Sequence, residues 1–132
     1  MNAAKLLKVY AGSLGVFLLV DLLWLGVLAR SFYRRQLGPL LRPDVRWLPA
    51  ILFYLAFVAG ILIFAAIPAI ERGSLARALL LGALFGAIAY ATYDLTNLAT
   101  LRDFPPVVAV VDIAWGGFLA ALVAGVAYKL GA

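Results

Sequence analysis

The hydrophobic pattern divides the chain into four long apolar runs separated by short polar segments. The runs cover about residues 6–29, 47–70, 75–101 and 106–129. Each is long enough to cross about 30 Å of hydrocarbon as a helix. Lipid offers no hydrogen-bond partners to free backbone groups, so each run is expected to be helical throughout. The pattern therefore predicts an all-α integral membrane protein, a single four-helix bundle with short loops.

The connections between the runs are short and contain turn residues. They comprise residues 30–46, 71–74 and 102–105. Loops of these lengths make consecutive helices antiparallel neighbours, so the first and third loops lie on one face of the membrane. The first run is longer than the roughly 7–15 apolar residues of a signal peptide, and it contains Asp21. We expect it to be a retained helix.

The composition supports a membrane location and narrows the chemistry. The chain is 67% hydrophobic, against about 45–50% for soluble domains, and a small body cannot bury such an excess. It has no cysteine and no histidine, which excludes disulfides and metal or haem ligation by thiolate or imidazole. We expect no cofactor and no metal. The net charge is +5, and the basic residues that produce it lie mostly between the apolar runs. Membrane lipids, not nucleic acid, are therefore the expected partners.

The first loop is strongly basic but not plainly polar. Its aromatic and aliphatic residues alternate with arginines, which fits a segment lying in the headgroup zone as well as a solvated connector. Positive charges are divided almost evenly between the two faces, so the orientation stays open and dual insertion is an alternative. The residues expected to contact headgroups are Arg30, Arg34, Arg35 and Arg102.

Small residues recur every four positions in the third and fourth runs. They are Ala78, Gly82 and Gly86 in the third, and Gly117, Ala121 and Gly125 in the fourth. Such stripes allow helices to approach closely. Packing within one chain is the first interpretation, and a homodimer built on the stripes is the alternative.

Three aspartates interrupt the apolar runs: Asp21, Asp94 and Asp112. A charged Asp at the centre of a spanning helix costs about 2.5–3.5 kcal/mol on insertion scales. All three lie in the half of the bilayer next to the first and third loops, whichever way the chain is inserted. The sequence therefore predicts a polar pocket in one leaflet, with the basic residues at its rim and nearly featureless hydrocarbon, including most of span two, in the other half.

Polar and aromatic residues accompany the aspartates. Tyr90, Asp94 and Asn97 share one helix face, and the Asp21–Trp24 spacing is repeated by Asp112–Trp115. The repeat suggests an Asp that accepts a hydrogen bond from a Trp across the bundle. The competing interpretation is that the acids pair with loop arginines and only lock the bundle. The predicted ligand- or proton-binding residues are Asp21, Trp24, Tyr90, Tyr93, Asp94, Asn97, Asp112 and Trp115.

The segments 93–100 and 111–116, with 21–26 and Phe32-Tyr33, resemble the signature of a membrane-protein family known as domain of unknown function 2177. The resemblance covers nearly the whole chain. It implies a small multi-pass protein of the bacterial inner membrane, with lipid-modifying proteins as candidate partners. It implies no activity, because the family has none assigned.

Three functional hypotheses follow. The first is binding or transport of a lipid or small amphiphile in the polar pocket. The second is a proton- or cation-coupled four-span transporter acting as a dimer. The third is an accessory subunit of, or an enzyme in, membrane-lipid modification. We identify no catalytic residues, since no catalytic motif is present, and we leave open whether any chemistry is catalysed.

Overall fold

The computed structural model describes all 132 residues as a bundle of helices. Four helices are long and apolar enough to span a membrane, and we call them spans one to four: Ala3–Leu28, Trp47–Glu71, Leu75–Thr100 and Pro106–Gly131. Their ends differ from the predicted ends by at most three residues. The all-α fold and the four spans are confirmed.

Local sequence signals set the ends of the spans. The Asn2 side chain accepts a hydrogen bond from the Lys5 amide at 2.8 Å, and the Ser74 hydroxyl accepts one from the Arg77 amide at 3.1 Å. Both satisfy amides that have no partner inside the helix. Gly73 ends the helix of span two with a φ of 61°, a conformation that glycine adopts without strain. The turn after span two is therefore shorter than predicted.

The spans follow one another around the bundle, and spans three and four pack together along their length. A Cβ added at Gly82 would lie 2.7 Å from the Ala124 Cβ, and one added at Gly86 would collide with the Gly116 carbonyl. The predicted use of small residues for packing within the chain is confirmed. On span four, however, the closest contacts come one residue earlier than the predicted stripe, at Gly116, Ala120 and Ala124.

The bundle is tight at one end and open at the other. Val9, Ala69, Ala78 and Ala127 belong to the main hydrophobic core and lie near the turn between spans two and three and the chain ends. By contrast, none of residues 47–56, the beginning of span two, is buried. This segment diverges from the other spans, which leaves space inside the leaflet that contains the aspartates.

Two wide, π-helical turns interrupt the spans. The turn Leu62–Ala66 precedes Pro68, whose ring and missing N–H are incompatible with a regular α-helical bond four residues back. The turn Trp24–Leu28 ends span one, and the Ala29 amide donates to the Trp24 carbonyl at 2.7 Å. The chain then reverses into the loop helix, Arg30–Leu37.

The loop helix is amphipathic and docks on the bundle. Its Phe32, Tyr33 and Leu37 pack against Phe104, Val108 and Ala109, around the start of span four. Its arginines stay exposed. The predicted juxtaposition of the first and third loops is confirmed, and the first loop is largely an ordered helix that covers the site described next.

Candidate functional site

Asp21 is held by a hydrogen bond across the bundle. Its side chain is 4% exposed, and the indole Nε1 of Trp115 donates to its Oδ1 at 3.1 Å. Because span one and span four are antiparallel, the acid near the end of one meets the tryptophan near the start of the other. The predicted Asp–Trp hydrogen bond between helices is confirmed for this pair.

Asp112 is reached through the loop helix. The Tyr33 hydroxyl donates to Asp112 Oδ1 at 2.9 Å, and the Trp24 Nε1 donates to the Tyr33 oxygen at 3.3 Å. Trp24 therefore contacts the second acid indirectly, through a residue that the motif spacing did not single out. Sequence reasoning missed Tyr33 because it lies in a loop, although Phe32-Tyr33 belonged to the family resemblance.

The two tryptophans connect the hydrogen bond at Asp21 with the hydrogen bonds at Asp112. The rings of Trp24 and Trp115 are stacked, with centroids 4.3 Å apart and planes inclined by 9°. Each indole N–H points to an oxygen supplied from outside its own helix. The stack therefore fixes span one against span four and orients both acids.

Tyr33 lies outside the spans and keeps its proton. Burial raises the pKa of the Tyr33 hydroxyl above its ordinary value; the hydrogen bond from Trp24 acts in the opposite direction, and the Asp112 charge raises the pKa further. These effects favour the protonated hydroxyl, which donates the hydrogen bond to Asp112.

Asp94 is placed by the close packing of spans three and four. Gly86 and Tyr90, two turns and one turn earlier, both meet Gly116. One more turn along the antiparallel pair brings Asp94 to Asp112, so that the two carboxyl groups are neighbours. Asp94 is fully buried, and neither of its oxygens has a partner that supplies a hydrogen.

A cavity of about 380 Å³ lies between the four spans at this depth. Its walls are mainly apolar and aromatic, with two acids among them. The lining residues are Asp21, Leu25, Ala50, Phe53, Tyr54, Ala89, Tyr90, Tyr93, Asp112 and Trp115. Every span contributes, so the cavity exists only in the assembled bundle.

The comparison with known families agrees with the geometry. Residues 6–129 match the family model described as predicted membrane protein (DUF2177). The chain belongs to the DUF2177 family. No curated protein and no solved structure is similar to this DUF2177 protein. The resemblance read from the motif segments is confirmed.

The structure of this DUF2177 protein separates the predicted site residues into groups. Five line the cavity: Asp21, Tyr90, Tyr93, Asp112 and Trp115. Trp24 stands behind Trp115, and Asp94 behind Asp112. Asn97 lies one turn beyond Tyr93, is partly buried and does not line the cavity.

The loop arginines of this DUF2177 protein lie outside the cavity, whereas the beginning of span two forms part of its wall. Arg30, Arg34, Arg35 and Arg102 are exposed and do not line the cavity, so their contact with headgroups stays a prediction. The acids Asp21 and Asp112 are bonded by Trp115 and Tyr33 instead of by arginines. The beginning of span two, in the same leaflet as the aspartates, contributes Phe53 and Tyr54 as one wall of the cavity, which was not predicted from the sequence. Phe53 and Tyr54 are uncharged, so in the sequence they cannot be distinguished from the aromatic residues that are common at membrane interfaces.

Proposed function

We propose that this protein binds a lipid or small amphiphile in the cavity, with the polar head of the ligand at the aspartates. The observation that supports this most is the cavity itself. Its volume of about 380 Å³ falls in the usual range of small-molecule sites, and apolar walls with a few polar groups are typical of them. The family description supports a membrane location, and we propose that this membrane is the inner membrane of a bacterium.

The entry route favours a ligand that comes from the bilayer. Leu25, Phe53 and Tyr93 line the cavity yet are 42%, 43% and 57% exposed. They flank the beginning of span two, where this helix diverges from its neighbours. A hydrocarbon tail at this opening stays among lipid chains while the head enters the bundle.

The polar groups favour a head that donates hydrogen bonds or carries positive charge. Asp21 and Asp112 are the charged residues of the lining, and no lysine or arginine accompanies them. The hydroxyls of Tyr54 and Tyr90 add groups that both donate and accept. An anionic head would meet two carboxyl groups without a counter-charge, so an amine or polyhydroxyl head is the better match.

Filling the cavity is expected to expel the ligand without disturbing the fold. Ala50 lines the cavity, whereas Ala56, on the same helix, is exposed to lipid. We expect Ala50→Leu to lose an amphiphile that co-purifies with the parent protein, and Ala56→Leu to retain it. Mass spectrometry of extracted protein measures the bound species. The proposal fails if all three proteins carry the same lipids in the same ratio.

The preferred charge of the ligand head can be tested with three amphiphiles that share a twelve-carbon tail and differ in head charge. We expect dodecylamine to change the tryptophan fluorescence of the protein at lower concentration than dodecanol, and dodecyl sulfate to be weakest. Asp21→Asn removes the charge and keeps an oxygen for the Trp115 indole, so it should weaken dodecylamine binding by about tenfold while dodecanol binding stays the same, since about 1.4 kcal/mol corresponds to a factor of ten. Equal affinity of the parent for all three probes would contradict an acidic head site.

A further inference from the structure

Asp94 has no role in lining the cavity, and its surroundings leave it unsatisfied. It is 0% exposed, and both carboxyl oxygens lack a hydrogen-bond donor. Its neighbour Asp112 is also an acceptor when both groups are ionised, so neither supplies a hydrogen to the other. Two adjacent carboxylates in a water-excluded bundle repel each other, and burial of an unpaired charge is strongly unfavourable. The two carboxyl groups therefore need a positively charged partner, which is a basic side chain, a metal ion or a proton.

The elements packed around Asp94 do not provide that charge. Span four contributes Asp112, the loop helix contributes Tyr33, and span one contributes Asp21, which faces Asp112. Tyr93 is the adjacent titratable residue on span three itself. All four are acids or phenols. A basic side chain is therefore not the missing partner.

A proton fits the pair better than a metal ion. No group of three or more acidic, histidine or cysteine side chains is placed so that it could hold one metal ion, whereas calcium and magnesium take about six or more oxygen ligands. A proton needs only two neighbouring carboxyl groups, which is what Asp94 and Asp112 offer. Tyr33 donates to Asp112 at 2.9 Å and leaves Asp94 as the group that lacks a donor.

We infer that Asp94 and Asp112 form a proton-binding site within the bilayer, in which one carboxyl O–H donates to the other carboxylate and the pair holds a single exchangeable proton. The site does not depend on the proposed ligand. Asp112 also lines the cavity, however, so one carboxyl group belongs to both sites. If the cavity takes a cationic head, as proposed above, binding of that head and binding of the shared proton affect each other, because both involve Asp112.

Infrared spectroscopy of the full chain in lipid nanodiscs tests the site directly. We expect the parent at neutral pH to show the C=O stretch of a protonated carboxyl group. Asp94→Asn should lose this band, whereas Asp112→Asn should shift it, because the buried Asp94 then stays protonated but has lost the carboxylate that accepts its proton. Asp103→Asn, which changes an exposed acid of the third loop, is the matched control and should leave the band in place. Either Asp variant suffices if the other does not fold. A band that is unchanged in the folded variants, or absent from the parent, overturns the inference.

The pH dependence of stability gives a second readout. At neutral pH the aspartates of the unfolded chain are ionised, whereas the folded pair keeps one proton, so stability should fall as pH rises and the pair is deprotonated. We expect the melting temperature of the parent to drop at alkaline pH and that of Asp94→Asn to stay flat over the same range. A parent that responds to sodium concentration instead of pH would show that a metal cation fills the site. These measurements use no amphiphile, so their failure leaves the ligand proposal standing, and the reverse also holds.

Discussion

Replacing Gly86 by leucine is expected to separate spans three and four and to destabilise the bundle strongly. A Cβ at this position would collide with the Gly116 carbonyl and lie 2.5 Å from the Ala120 Cβ. Backbone cannot move aside as a flexible side chain can. Forcing extra atoms into a packed core typically costs about 1–3 kcal/mol, and we expect the upper end of that range here. Thermal unfolding in a mild detergent measures the loss.

The matched control is Gly15→Leu. Gly15 also lies inside a spanning helix, but a Cβ built there meets nothing within 4 Å. Its new side chain would point to lipid, and leucine favours the helix over glycine by somewhat under about 1 kcal/mol. We therefore expect Gly15→Leu to be neutral or slightly stabilising. Equal losses at both positions would mean that the close approach of spans three and four does not hold the bundle together.

The positions of the spans followed from the sequence because a bilayer leaves few alternatives. Apolar runs of this length must be helical, and short loops must alternate their direction. The same topology placed three acids in one leaflet without any knowledge of packing. The contact ridge on span four was misplaced by one residue, since a stripe such as Gly117–Ala121–Gly125 fixes only roughly which side of a helix is turned inward.

The site was predictable only where a residue was out of place in lipid. Aspartates stand out in an apolar run, and their spacing to Trp24 and Trp115 suggested the bond between Asp21 and Trp115. Tyr54 did not stand out, because a tyrosine near a membrane interface is common. The cavity itself follows from the divergence of span two, and no local pattern encodes the angle between two helices.

Tyr33→Phe is expected to give the second large loss of stability, because the Tyr33 hydroxyl makes hydrogen bonds to both Trp24 and Asp112. Removing it deprives the Asp112 carboxyl of a donor at 2.9 Å and the Trp24 indole of an acceptor at 3.3 Å. Leaving buried partners unsatisfied costs about 1–3 kcal/mol. Tyr128→Phe provides the matched control at the opposite end of the bundle, where the hydroxyl makes no side-chain hydrogen bond, and should be nearly neutral.

A double-mutant cycle shows whether Tyr33 acts through Asp112. In an Asp112→Ala background the tyrosine has already lost its acidic partner, so Tyr33→Phe should cost about half of what it costs in the parent. Residues in one hydrogen-bonded network give coupling energies of about 0.5–3 kcal/mol, whereas independent sites add to within about 0.3–0.5 kcal/mol. Additive losses would mean that the loop helix covers the site through Phe32 and Leu37 alone. Coupling would instead make this short helix part of the acid cluster, because an extramembrane segment then sets the hydrogen bonding of a carboxyl group inside the bilayer.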